Sequence, residues 1–279
     1  MKAAVYYNNR DVRLEDVPEP AIGPGELKIK VDSCGLCGGD AMEWYLVHKA
    51  PIILGHEPTG TVVEVDAGGS RFKPGDRVFV HHHVGCMSCH YCRRGFFTMC
   101  ENFANSHIYP CAFSEYVRVP AENVRHDVHL LPDSLSFEEG TLIEPMACVV
   151  KGIKLAGIRP GDTVAVVGSG FMGLGFIQLA RVWGAGKVVA FDLNDWRLEQ
   201  GLALGADAVF APDDPALAGL VAARGKPLDA VIDAVGNPAC INAGLPLLKL
   251  GGSLCVYGVL AEAQLVLNKA AGPYNFNVF

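Results

Sequence analysis

Four cysteines stand at 86, 89, 92 and 100, in the run GCMSCHYCRRGFFTMC. The spacing C-x2-C-x2-C-x7-C gathers four thiolates in one short loop. Four thiolates close a tetrahedral shell around one Zn²⁺ and leave no position for a substrate. Cys86, Cys89, Cys92 and Cys100 are therefore expected to form a structural zinc knot. A second constellation is built differently. It comprises the fragments Cys34-Gly35-Leu36-Cys37-Gly38-Gly39-Asp40, Gly55-His56-Glu57-Pro58-Thr59-Gly60 and Ile143-Glu144-Pro145-Met146-Ala147-Cys148. A catalytic zinc takes about three protein ligands and keeps one position open. One thiolate, one imidazole and one carboxylate meet that need, and Asp40 beside the imidazole would fix its tautomer. A CxxC pair alone also serves as a redox couple or as buried thiols, so the joint presence of these fragments carries the argument.

A third group binds phosphate chemistry. After the apolar run VAVV comes Gly168-Ser169-Gly170-Phe171-Met172-Gly173, then LGFIQLARVWG. The first glycine makes a tight turn and the second admits a pyrophosphate. The third lets helix pack on strand, and the helix N-terminus faces the phosphate charge. Asp192 closes the next apolar run and would accept hydrogen bonds from both hydroxyls of an adenosine ribose. It would repel a 2′-phosphate, which favours NAD over NADP. Arg197, five residues on, would reach the same ribose or add some tolerance for NADP.

Elements must hold these groups in place. Residues 1 to about 125 carry short apolar or β-branched runs, KAAVYY, LKIKVDSCG, GTVVEVDA, DRVFVHHH and SEYVRVP, bounded by turn signals such as AIGPGE and RFKPGD. They predict a small barrel or sandwich of Greek-key type. From about 150 the pattern alternates strand and helix: VAVVG (164–168), a helix over 171–184, KVVAFD (187–192), a helix over 195–204, ADAVF (206–210), DAVIDAV (229–235) and GSLCVYGV (252–259). Near-continuous apolar strands are covered on both faces. The fold class is α/β: a β-rich N-terminal domain, 1–150, and a doubly wound parallel sheet, 151–279.

Bulk properties exclude other classes. The 279 residues are half hydrophobic, with 23 basic against 30 acidic side chains and a net charge of -7. No basic stripe runs along the chain; Arg93 and Arg94 are its densest basic spot. Nucleic-acid binding by the knot alone has little support. The N-terminus has no apolar h-region and no run of about eighteen apolar residues exists, so neither a signal peptide nor a membrane span is expected. Clustered cysteines in such a chain read as metal ligands, and the expected compartment is the cytoplasm.

On CGLCGGD, GHEPTG, GDRV at 75–78, the cysteine knot, IEP at 143–145, the Gly168/Gly170/Gly173 turn and Asp192, the chain resembles zinc-dependent medium-chain dehydrogenases, the alcohol dehydrogenase superfamily. The resemblance runs over essentially the whole chain. IEP and the tail PYNFN at 273–277 resemble the polyol branch, which includes sorbitol dehydrogenases. It implies an N-terminal GroES-like catalytic domain and an NAD-binding Rossmann domain. It also implies hydride transfer between NAD and a secondary alcohol, most simply a polyol or sugar derivative. Threonine and simple secondary-alcohol dehydrogenases are close relatives, and a non-catalytic nucleotide- and zinc-binding relic is the rival reading. By the same resemblance Cys37 and His56 are catalytic zinc ligands, with Glu57 and Glu144 the two carboxylates at the metal. Ala234, Val235, Gly236, Tyr257, Gly258 and Val259 would contact adenine and nicotinamide.

The chain departs from the family in two ways. Gly39 and Met42 occupy positions where relatives carry the Ser or Thr and the His of a proton relay. Glu43, His48, the site carboxylates or water would have to substitute. Family members also continue past 252–259 with a sixth strand, often at a dimer interface. This chain is expected to lack that C-terminal part, leaving the edge SLCVYGV exposed; full-length relatives are dimers or tetramers.

Other residues read as structural. His81, His82 and His83 alternate faces if they continue a strand, so they cannot share one ion; a solvated strand end is expected. Phe96 and Phe97 should pack the knot. Cys111, Cys148, Cys240 and Cys255 read as small buried hydrophobes. Trp44 and Tyr45 line a pocket or pack in the core.

Overall fold

A computed structural model describes residues 1–68, 70–212, 214–215, 228–262, 264–268, 270–273 and 275–279. The chain forms two compact units, Met1–Pro145 and Met146–Phe279. The division falls between Pro145 and Met146, earlier than the expected 150, and both positions lie within the helix α1 (Ile143–Ala156).

The first unit is antiparallel β. Its strands are β1 (Lys2–Asn8), β2 (Asp11–Asp16), β3 (Leu27–Gly35), β4 (Ile52–Ile53), β5 (Glu57–Val65), β6 (Arg77–Val80), β7 (Tyr116–Val119) and β8 (Val128–Leu130). A five-stranded sheet runs β7-β3-β5-β6-β8 and a three-stranded one β2-β1-β4. Alternation along β3 sends Leu27 and Ile29 inward, where they meet Val62, Val78, Val117 and Val119 in one fully buried cluster. Each such side chain contributes roughly 1.5–3 kcal/mol on burial. Pairing of β3 with β5 sets Gly35 opposite Glu57 and Cys34 opposite Pro58. This register brings the CGLCGGD turn and the GHE turn to the same end of the sheet.

The second unit is a parallel sheet of six strands: β9 (Thr163–Val167), β10 (Lys187–Phe191), β11 (Ala208–Phe210), β12 (Leu228–Asp233), β13 (Leu248–Val256) and β14 (Asn277–Val278), in the order β11-β10-β9-β12-β13-β14. Helices α2 (Phe171–Val182), α3 (Asp195–Ala203) and α4 (Pro238–Gly244) accompany it. Val164 and Val166 face one buried cluster and Ala165 the other, so both faces of β9 are covered. The order reverses between β9 and β12, the switch point where doubly wound sheets bind ligands.

Two expectations change. β6 ends at Val80, before the histidines, because the His81 N–H turns to the Asp127 carbonyl, 3.1 Å away. The edge of β13 is not left bare: Ser253 and Leu254 pair with Asn277 and Val278, and Val256 N–H donates to the Phe279 carbonyl at 2.9 Å. Tyr274 of the PYNFN tail lies outside the described residues.

Candidate functional site

The open metal constellation assembles at one end of the first sheet. Cys37 ends the turn after β3 and caps a short 3-10 segment, Gly38–Ala41. Its Sγ accepts the Gly39 N–H at 3.4 Å, and its own N–H donates to Asp40 Oδ2 at 3.2 Å. His56 and Glu57 come from the start of β5. Gly55 turns there at φ +93°, with Phe113 N only 2.8 Å from where a side chain would begin, so only glycine fits. The ligand atoms of Cys37, His56 and Glu57 lie within 4.8 Å of one another. Asp40 Oδ1 stands 3.6 Å from His56 Nδ1, placed to fix the ring. A Cβ at Gly35 would overlap the Glu57 carboxylate, so that glycine is the cradle for the acid. Glu144 is not within that three-residue group, but its charge is felt at Cys37 and Glu57.

The electrostatics of the group reflect burial beside other acids. Burial, then the charges of Glu144 and Asp40, push Glu57 up to about 7. Burial also raises the Cys37 thiol. Without a metal the raised Glu57 and Cys37 favour their neutral forms, and a bound cation would favour the charged ones. The donor set, one sulfur, one ring nitrogen and one or two carboxylates, fits an open zinc site.

The four-cysteine knot also assembles, its sulfurs within 4.8 Å of one another. Backbone N–H groups of Cys89, Cys92 and Cys86 donate to the sulfurs of Cys86, Cys89 and Cys100 at 3.3–3.4 Å. With the Ser88 hydroxyl, such bonds pull the Cys86 thiol down to about 6. Phe97 lies against the knot loop, its ring 3.5 Å from where a side chain at Gly85 would begin, and Phe96 and Phe97 remain 41% and 43% exposed. Of the four cysteines read as buried hydrophobes only Cys255 is fully buried; Cys111, Cys148 and Cys240 are half-buried.

In the second unit the glycine turn lies at the switch point. Gly168 has φ +93°, and a Cβ there would stand 2.6 Å from Val235 Cγ2. Nothing lies within 4 Å of where a Cβ would sit at Gly170, so backbone is open to an approaching group. At Gly173 a Cβ would overlap the Gly168 carbonyl, which is how α2 seats against the turn. The Ser169 hydroxyl is buried and has no partner among the described residues. Asp192, its side chain 8% exposed, accepts the Ser169 N–H at 2.7 Å and the Asn194 N–H at 2.9 Å. Each oxygen keeps a lone pair for a ribose hydroxyl. Arg197 Nη1 is 3.9 Å away. Phe171, Val235 and Val259 expose apolar side chains and Met172 is half-buried. The orphaned hydroxyl, the cleared backbone and these apolar groups fit a dinucleotide.

Sequence reasoning missed Asp233. Fully buried at the end of β12, its carboxylate accepts the N–H groups of Val235 and Gly236 at 3.0–3.3 Å, while its carbonyl accepts those of Tyr257 and Gly258. It ties together both loops expected to meet the cofactor. An apolar cavity of about 340 Å³ beside Val167, Phe191, Pro212, Ala239 and Leu247 was also unforeseen, since no local motif marks it.

The histidine run is not a solvated strand end. His81 Nδ1 meets Asp127 Oδ2 at 2.8 Å, and His83 Nδ1 meets the Ser106 carbonyl. The His82 ring sits 5.1 Å from that of His56. Burial, then the imidazoles of His83 and His56, push it down to about 2, so it is neutral. No described metal group includes the three. Trp44 and Tyr45 are about half exposed, so they do not pack in the core. Glu43 and His48 are exposed, and Glu43 accepts the Asn9 N–H.

A four-thiol knot, an open cation site and a dinucleotide turn at the switch point together define a metal-dependent, nucleotide-using oxidoreductase. Comparison with known proteins narrows this. Residues 23–133 match the alcohol dehydrogenase GroES-like domain, and residues 172–272 match the zinc-binding dehydrogenase domain. Sorbitol dehydrogenase of Bacillus subtilis (strain 168) is 34% identical over 96% of this chain and 78% of its own length. The 2R,3R-butanediol dehydrogenase structure from the same species has a TM-score of 0.84 at 29% identity, covering 100% of this chain and 83% of that one. A structure from Sinorhizobium meliloti 1021 bound to NADP has a TM-score of 0.85 at 29% identity, covering 99% of this chain and 82% of that one. The chain belongs to the zinc-dependent medium-chain dehydrogenase family, in its polyol dehydrogenase-like branch. It is an oxidoreductase acting on CH–OH donors, with zinc and a nicotinamide cofactor, and small-molecule alcohols are its substrates. No described helix is long and apolar enough to cross a membrane.

Proposed function

We propose that this protein oxidises a secondary hydroxyl of a polyol or sugar derivative to a ketone, with NAD reduced to NADH. The observation that carries the reading is the convergence of Cys37, His56 and Glu57 within 4.8 Å, in a chain that also holds a dinucleotide turn. Cys37, His56 and one of Glu57 and Glu144 hold the catalytic zinc. Bound there, zinc supplies a Lewis acid that lowers the pKa of a substrate hydroxyl. Asp40 orients His56. Cys86, Cys89, Cys92 and Cys100 hold the structural zinc and have no open position. Gly168, Gly170, Phe171, Met172 and Gly173 receive the pyrophosphate, and Asp192, with Arg197 beside it, selects a free ribose, hence NAD over NADP. The apolar cavity next to Phe191 and Pro212 suits an adenine ring. Val235, Gly236, Tyr257, Gly258 and Val259 frame the rest of the cofactor, positioned by Asp233. The cytoplasm is the proposed compartment and a homodimer or homotetramer the proposed assembly.

The deciding experiment follows NADH formation from NAD across polyols, threonine and simple secondary alcohols, with and without a zinc chelator. The reading expects chelator-sensitive turnover, strongest on polyols. Cys37→Ala should abolish it and remove about half of the bound zinc, the knot retaining the rest. Turnover that survives both treatments would overturn the zinc mechanism.

A further inference from the structure

His82 is the one imidazole of its run without an assigned task. His81 is engaged by Asp127, and His83 by the Ser106 carbonyl. Those two anchors hold His82 from both sides: its ring packs 3.6 Å from that of His83 and edge-on to that of His81 at 5.7 Å. The opposite neighbour is His56, at 5.1 Å between ring centroids. His82 Nδ1 is buried and has no hydrogen-bond partner among the described residues. A buried ring nitrogen left unpaired is costly, so such a position is retained where something fills it. Gly39 and Met42, beside Cys37, offer no hydroxyl or ring nitrogen to do so.

We propose that His82 is a specificity-determining residue: through Nδ1 it hydrogen-bonds the hydroxyl neighbouring the one that is oxidised, and so selects vicinal polyols over simple secondary alcohols. This rests on the proposed function above. A site built around a hydrogen bond to a substrate hydroxyl discriminates strongly against an analogue lacking it, whereas an apolar wall does not. The second hydroxyl of a polyol gives the orphaned nitrogen its partner; 2-butanol cannot.

The test compares wild type, His82→Phe and His82→Gln, each checked for zinc content equal to wild type. Two quantities are read: the ratio of kcat/KM for xylitol to that for 2-butanol, and calorimetric affinity of the protein–NADH complex for 2,3-butanediol. The ratio should fall roughly 10- to 100-fold in His82→Phe, the range a lost hydrogen bond to a buried partner produces. His82→Gln should restore part of it, and diol affinity should follow the same order. A ratio unchanged in both variants, or diol affinity indifferent to residue 82, would overturn the proposal. If wild type oxidised neither alcohol class, the proposed function would fall, and the calorimetric arm would still decide the role of His82.

Discussion

At the scale of single residues, the candidate metal site is a balance between burial and charge. Glu57 is 4% exposed and its carboxyl is raised from 4.5 to about 7. A raised carboxyl pKa means that folding of the metal-free protein takes up a proton. Stability of that form is therefore lowest above about 7 and recovers as pH falls toward 4.5, on the order of 3 kcal/mol for this group. The difference in thermal stability between pH 8 and pH 5, measured on metal-stripped protein, should shrink markedly in Glu57→Gln. An unchanged difference would place the strain elsewhere. Some of this was readable from sequence: the four knot cysteines are named by spacing, and Cys37, His56 and Glu57 by the resemblance to the family. The cradle at Gly35 was not, because it depends on which residue β5 sets opposite it. The task of His82 was not legible either, because the strand stops at Val80 and the alternation rule that disposed of the histidines no longer applies.

At the scale of elements, the dinucleotide turn joins two jobs that substitution can separate. Gly173 seats α2 against the Gly168 carbonyl, whereas Gly170 has open space where a side chain would stand. Gly173→Ala should lower both the melting temperature and NADH affinity, the stability loss being about 1–3 kcal/mol for an overpacked contact. Gly170→Ala should leave the melting temperature nearly unchanged and weaken NADH binding alone, as followed by NADH fluorescence. Equal thermal effects would refute the division. The strands β9, β10 and β12 were legible because apolar runs covered on both faces leave few alternatives. β2 was missed: DVRLED is charged, and it forms a strand only because β1 pairs with it from Lys2–Asp16 to Asn8–Asp11. β14 was missed for the same reason, two residues being too few to carry a pattern.

At the scale of the whole molecule, the short β14 matters beyond its length. It occupies the outer hydrogen-bonding groups of β13, whose Leu254 and Cys255 are buried. Removing residues 275–279 should leave secondary structure nearly intact and raise light scattering on mild heating, as expected of an uncovered edge strand; scattering equal to that of the full chain would show that β13 needs no cover. The two candidate metal groups differ in how far along the chain their members are drawn. The knot closes a local loop within one segment, so it can nucleate early and alone. The open site exists only when β3 and β5 are aligned with Gly35 across from Glu57. A slip of one residue would turn Glu57 to the other face of the sheet. Cation uptake at that end would thus act as a proofreading step for strand alignment: a misaligned chain could be compact with its knot closed, yet would lack the open group.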